Sequence, residues 1–219
     1  MEMDQKMETA DVALLAQQMR ESSQLSMDDQ HFLKNLHINL RNPVLPQHEI
    51  ESRAGSRPPT QEETMKFKQL IPIKKGSYNF AEDKIITSNW TTFCKLHNWD
   101  PKKVEPFILL RENMKTHIRS KKQRRKFVQF LADGLPNRTL YSVYHRFKNL
   151  YSDLEQRRFR PDEDKMILDH LERNVNLDKK RKYSDLAKVL KRTRAAIWRR
   201  YKLLRKERQK STKFSYNLH

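Results

Sequence analysis

Two stretches hold most of the residue types that could do chemistry in this chain: RTLYSVYHRFKNLY at 138–151 and RTRAAIWRRYKLLR at 192–205. Each opens Arg-Thr and continues, at matching offsets, with a β-branched residue (Val143, Ile197), an aromatic (Tyr144, Trp198), an Arg (Arg146, Arg200), an aromatic (Phe147, Tyr201) and a Lys (Lys148, Lys202). Read as helices, Val143, Phe147 and Leu150 share one stripe, and Ile197, Tyr201 and Leu204 share the other. The opposite faces then present Tyr141, Tyr144, His145 and Lys148 in the first, and Arg194, Ala195, Trp198, Arg199 and Lys202 in the second. Such faces suit polyanion recognition, because an α-helix fits the B-DNA major groove and its cations can reach guanine O6 and N7. Arg199 and Lys202, one turn apart, are the first candidates for base edges. Arg194, Arg205, Lys206 and Arg208 suit phosphates. Trp198 and Tyr144 also read as core aromatics filling the groove between two such helical units, and His145 as an ordinary exposed histidine.

The charge supports a polyanion. The chain has 219 residues and a net charge of +19. Residues 1–65 sum to −5, which leaves +24 on residues 66–219. A field of that strength attracts nucleic acid above other partners. The run RSKKQRRK at 119–126 includes Lys121, Lys122, Arg124 and Arg125. It reads as a phosphate clamp, a nuclear import signal, or a solvated face.

Other chemistries find little support. Three glycines are too few for phosphate-cradling loops, and no helical His-Glu-x-x-His or nucleophile elbow is present. Cys94 and His97 stand without further ligands, so no metal, cofactor or enzymatic activity is expected. A single cysteine precludes an intramolecular disulfide, and no apolar run approaches the roughly 20 residues of a membrane span. The expectation is a soluble, intracellular protein.

The elements that must position these faces recur as well. YNFAEDKII at 78–86 matches FRPDEDKMI at 159–167, RKF at 125–127 matches RKY at 181–183, and the Arg-Thr stretches follow in the same order. Each block reads as a helix. Pro161 and the acids at 162–164 suit a first turn, Thr139 and Thr193 suit caps, and Tyr183, Leu186, Ala187 and Leu190 fall on one face. The fold class expected is all-α: two tandem three-helix repeats, at 76–152 and 153–208. The first is longer between its first two helices, where Asp100-Pro101 reads as the start of an inserted helix that bends or ends near Pro106. Residues 1–40 read as two short amphipathic helices, with Val12, Leu15 and Met19 on one face and Ser26 capping the second. They either pack locally or dock onto a protein partner. Residues 41–75 read as a linker and 209–219 as a basic, polar tail.

The aromatic triads Tyr78, Phe127, Phe147 and Phe159, Tyr183, Tyr201, with RTRAAI opening a basic third helix, resemble the Myb/SANT repeat over roughly residues 76–208. None of the six positions holds the tryptophan usual in that family. The enlarged first repeat looks most like the RNA polymerase I transcription-terminator group, to which cyclin-D-binding Myb-like factors are related. The resemblance implies helix-turn-helix repeats on double-stranded DNA with both third helices in the major groove. It further implies action in the nucleus, in transcription regulation, termination or chromatin. Carried over position by position, the readers are Tyr144, His145, Lys148, Trp198, Arg199 and Lys202. The competing reading is a SANT-type protein-interaction subunit. Such modules tend to have acidic third helices, whereas residues 191–210 carry ten Lys/Arg and a single acid, Glu207.

Overall fold

The computed structural model describes residues 7–53, 56–108, 116–174 and 177–216, with side chains described for 12–210 of these. The regular elements among the described residues are all helices, and none of these residues lies in a strand. No described helix is long and apolar enough to cross a membrane. The chain divides into a central unit, Leu25–Ser152, and a C-terminal unit that joins Met1–Gln24 to Asp153–His219.

Three helices frame the central unit: α4 (Phe80–Leu96), α6 (Lys121–Leu131) and α7 (Leu140–Tyr151). Each begins where a polar side chain satisfies an orphan amide. Asn79 and Glu82 form a reciprocal capping box on α4, while Ser120 and Thr139 accept from Gln123 N and Ser142 N. At the centre stands Trp90, 1% exposed. Its ring meets Phe93, Phe107, Phe127, Phe147 and Tyr151 at centroid distances of 5.1 to 6.1 Å, mostly tilted or edge-on as ring quadrupoles favour. Trp90, rather than Tyr78, is therefore the first-helix aromatic of this core. Tyr78 sits at the margin, its hydroxyl 2.5 Å from Ser142 Oγ.

Several expected boundaries move. The supposed linker is part of the central unit. It contains a 3-10 turn, Pro46–Glu49, and a helix, α3 (Gln61–Leu70), opened by a Thr60–Glu63 capping box. His48 and Glu51 are each 3% exposed. His48 Nε2 lies 2.9 Å from the Arg138 carbonyl, and Gln47 donates to Pro136 O. Polar residues thus bury here by hydrogen bonding, which leaves no hydrophobic period to read. Helix α2 (Met27–Asn35), capped by Ser26 as expected, also belongs to this unit. Phe32 stacks on Trp99 at 5.1 Å, and Leu33, Leu36 and Ile38 are buried.

The insertion differs as well. Asp100-Pro101 begins a turn, in which Asp100 Oδ1 accepts from Lys102 N at 2.9 Å. The helix, α5 (Glu105–Ile108), starts later and carries Pro106 in its first turn, where a missing N–H costs nothing. Residues 109–115 of the insertion lie outside the described residues. The basic run at 119–126 leads into α6 and supplies its first turns.

In the C-terminal unit, α8 (Pro161–Arg173), α9 (Lys179–Val189) and α10 (Arg194–Tyr216) enclose Ile167, Leu186, Leu190 and Ile197. Phe159, Tyr183, Tyr201 and Leu204 are partly buried against them. This core is small, and α1 (Met7–Ser22) adds to it by packing on α8 and α9. The inward side chains of α1 are Val12 (3% exposed) and Ala16 (0%), whereas Leu15 points outward at 40%. Ala16 lets the backbones approach more closely than Leu15 would. Arg20 at the far end pairs with Asp185, whose side chain is fully buried and lies 4.0 Å from the buried His170 Nε2. Helix α10 runs to Tyr216, so residues 209–216 continue a helix rather than a tail; 217–219 lie outside the described residues.

Candidate nucleic-acid interface

The opening Arg of each repeated stretch is a buried structural lock. Arg138 donates from Nε and Nη2 to both oxygens of Glu82, at 2.8 and 2.9 Å. It also donates to the carbonyls of Lys74, Gly76 and Ser77 at 2.8 to 3.0 Å. Arg192 repeats the pattern with Glu163, at 3.3 and 3.4 Å, and with the carbonyls of Glu155, Arg157 and Arg158. Every partner of the arginine moves by 81 positions and the arginine itself by 54. The backbone agrees: Lys74 N donates to Asn137 O and Glu155 N to Lys191 O, both at 2.8 Å. Each guanidinium lies over an aromatic face, Arg138 at 4.1 Å from Tyr78 and Arg192 at 4.5 Å from Phe159.

A second pair fixes the tilt of each third helix. Arg146 chelates Asp83 at 2.7 and 2.6 Å, and Arg200 chelates Asp164 at the same two distances. The Glu-Asp of each first block thus holds two arginines of the third. Planar bidentate geometry makes these pairs strong and specific in direction. Arg146 and Arg200 are spent on the fold and do not read bases.

The lock imposes a pH dependence. The guanidinium of Arg138 first, then the amide of Asn79 and the ammonium of Lys74, outweigh burial and hold the Glu82 carboxyl down to about 2. Its folded value lies below its unfolded one. The stability it contributes is therefore present above the ordinary 4.5 and is lost as pH falls toward 2. That interval corresponds to about 3 kcal/mol. Denaturant unfolding of the central unit is expected to weaken steeply between about pH 5 and pH 2, and Glu82→Gln to flatten that slope. An identical slope in the variant would contradict the assignment. At Glu163 burial pushes the carboxyl up, but hydrogen bonds from Arg157, the Arg160 amide and Arg192 overcome it and hold it below its usual range.

With the tilt fixed, α10 presents its other face to solvent. Arg194, Arg199, Lys202, Arg205 and Lys206 are exposed, and Trp198 is 48% exposed. Lys202 Nζ lies 4.4 Å above the Trp198 ring, so the two form one cationic, aromatic surface. Arg205 sits 5.8 Å over Tyr201, and Arg208 pairs with Glu172 at 2.9 Å. At 23 residues the helix is about 34 Å long. Within its own unit Trp198 is thus a surface residue.

Helix α7 is not equivalent. Tyr144, the counterpart of Trp198, is 1% exposed, and its hydroxyl donates to the carbonyls of Phe107 (2.8 Å) and Ile108 (3.2 Å). The insertion covers the position, so Tyr144 is a core residue and no reader. Lys148 is half-buried over the Tyr144 ring, at 5.0 Å, and burial lowers its ammonium pKa. His145 is exposed and Tyr141 half-exposed. Glu51 accepts from the amides of Leu140 and Tyr141, at 2.5 and 2.9 Å, and so seats a carboxylate on the N-terminus of α7.

The basic run is also divided. Arg124 donates to the carbonyls of Ile118 and Arg119, Arg125 to Glu49 O, and Lys126 to Ile38 O. Lys121 and Lys122 are exposed and keep the clamp reading, whereas Arg124 and Arg125 hold the fold. Cys94 is buried, and burial pushes its thiol up to about 12. Among the described residues no three His, Cys, Asp or Glu side chains are grouped to hold a metal ion.

The residues missed in the sequence are Arg138, Arg192 and Glu51. The signal for the two arginines was their identical place at the head of both stretches; for Glu51 there was none. The chain matches no known protein family, no curated protein and no solved structure.

Proposed function

We propose that this protein binds double-stranded DNA sequence-specifically through two Myb/SANT-like helix-turn-helix units and acts in nuclear transcription or chromatin. The observation that carries the reading is the outward face of α10. Its exposed Arg194, Trp198, Arg199, Lys202 and Arg205 stand on a helix whose tilt Arg192 and Arg200 fix. Side chains held at a fixed angle can discriminate base edges, whereas loosely held cations only neutralise phosphates. Arg199 and Lys202 take guanine O6 and N7, and Arg194, Arg205, Lys121 and Lys122 take phosphates.

Replacing Arg199 by Ala is expected to cost about 1–3 kcal/mol on the preferred duplex and much less on random DNA. Replacing Lys121 and Lys122 together should weaken all duplexes alike and lower the salt slope by about 0.9 per lost phosphate contact. Titrations of both variants over several salt concentrations separate the roles. Equal losses on specific and random duplexes for Arg199→Ala would reduce α10 to a clamp. Exposed Trp198 and Leu203 favour one other reading, in which the same face holds a protein. Full-length protein that ignores duplex DNA at low salt would select that reading.

A further inference from the structure

We propose that base recognition is not shared between the units: α10 alone reads, and α7 is closed to base edges although it stands on the same lock. The inference rests on the DNA reading and departs from the symmetric use of both third helices that the repeat implies. Three observations carry it.

First, the position that in α10 presents an open indole is filled in α7 by a buried phenol. Trp198 is 48% exposed and Tyr144 1%. The Tyr144 hydroxyl is committed to Phe107 O and Ile108 O, so presenting it to a base would require displacing α5 and opening a core that contains the fully buried Phe107. Second, the cation one turn on is withdrawn. Lys148 lies half-buried against that same phenol, whereas Lys202 projects from an exposed ring. Third, the entry to α7 is already occupied by a buried carboxyl, which burial pushes up. Glu51 sits on the amides of Leu140 and Tyr141, the end of the helix that would face the phosphate backbone. The carboxyl there already uses the donors a phosphate would take. What α7 keeps outward is Tyr141, His145 and Asn149, a set without Lys or Arg. The central unit then meets DNA through Lys121 and Lys122 on α6, by charge and without sequence choice.

The test uses the full-length protein on duplexes enriched from a random pool, with dimethyl sulfate reporting guanine N7 in the major groove. One continuous protected segment is expected. Arg199→Ala combined with Lys202→Ala should erase it and lower affinity about 10–100-fold. Tyr141→Ala combined with His145→Ala should leave the protection intact and change affinity less than about 2-fold. Unfolding midpoints of both double variants check that each still folds. Two separate protected segments, one of them lost in the Tyr141/His145 variant, would overturn the division of labour and leave DNA binding standing. Failure of the wild type to bind any duplex would overturn the DNA reading and this inference together.

Discussion

Replacing Arg138 by methionine is expected to destabilise the central unit by about 3–5 kcal/mol, the cost of breaking a buried pair by removing one partner. The Arg138 side chain is 2% exposed and that of Glu82 10%, so loss of the guanidinium leaves a poorly hydrated carboxylate whose remaining counter-charge is the half-exposed Lys74 ammonium, 3.2 Å away. It also strips hydrogen bonds from three carbonyls of the segment that leads into α4. Removing both charges, as Arg138→Met with Glu82→Gln, should recover part of the loss, because no buried charge is then orphaned. Trp90 and Trp99 are buried in the central unit and Trp198 is exposed in the other. A Trp198→Phe background therefore makes fluorescence report the central unit alone. An unchanged denaturation midpoint for Arg138→Met would refute the lock.

Phe147→Ala should cost the same unit about 3–5 kcal/mol through lost transfer energy and the cavity left behind. Phe147 is fully buried on α7 and touches Trp90, Phe127 and Tyr151 at 5.0 to 5.6 Å. Its counterpart Tyr201 is only half-buried, so Tyr201→Ala is expected to cost the C-terminal unit less. Small domains have stabilities of about 5–15 kcal/mol, and the central unit should lose most of its margin to the first change. If Tyr201→Ala proved the more damaging of the two, the burial difference between the units would be misassigned.

The features legible in the sequence were those written locally. The three blocks of the repeat became α4, α6, α7 and α8, α9, α10, because caps such as Thr139 and apolar stripes such as Val143 and Phe147 are matters of spacing. Long-range burial of polar groups was not legible. Arg138 and Arg192 look like two more cations in a basic chain. Only the partners that folding brings, 56 and 29 residues away, turn them inward. The segment 41–75 shows prolines and no period, yet His48 and Glu51 bury in it by hydrogen bonding to the chain before α7 and to its first amides. Tyr144 and Trp198 occupy equivalent positions, and only the insertion, through the carbonyls of Phe107 and Ile108, sets them apart. A repeat in sequence thus marks the helices and arginine locks that the two units share, while the insertion sets the exposure of their third-helix faces apart.

The central claim is that the outward face of α10 chooses a DNA sequence. Selection of duplexes from a random pool by the full-length protein, run beside its Arg199→Ala/Lys202→Ala variant, tests it most directly. The wild type is expected to enrich one short motif containing guanine, and the variant to lose that preference while still binding DNA at low salt. A wild-type pool that remains random after selection, or a variant that enriches the same motif, would contradict the claim.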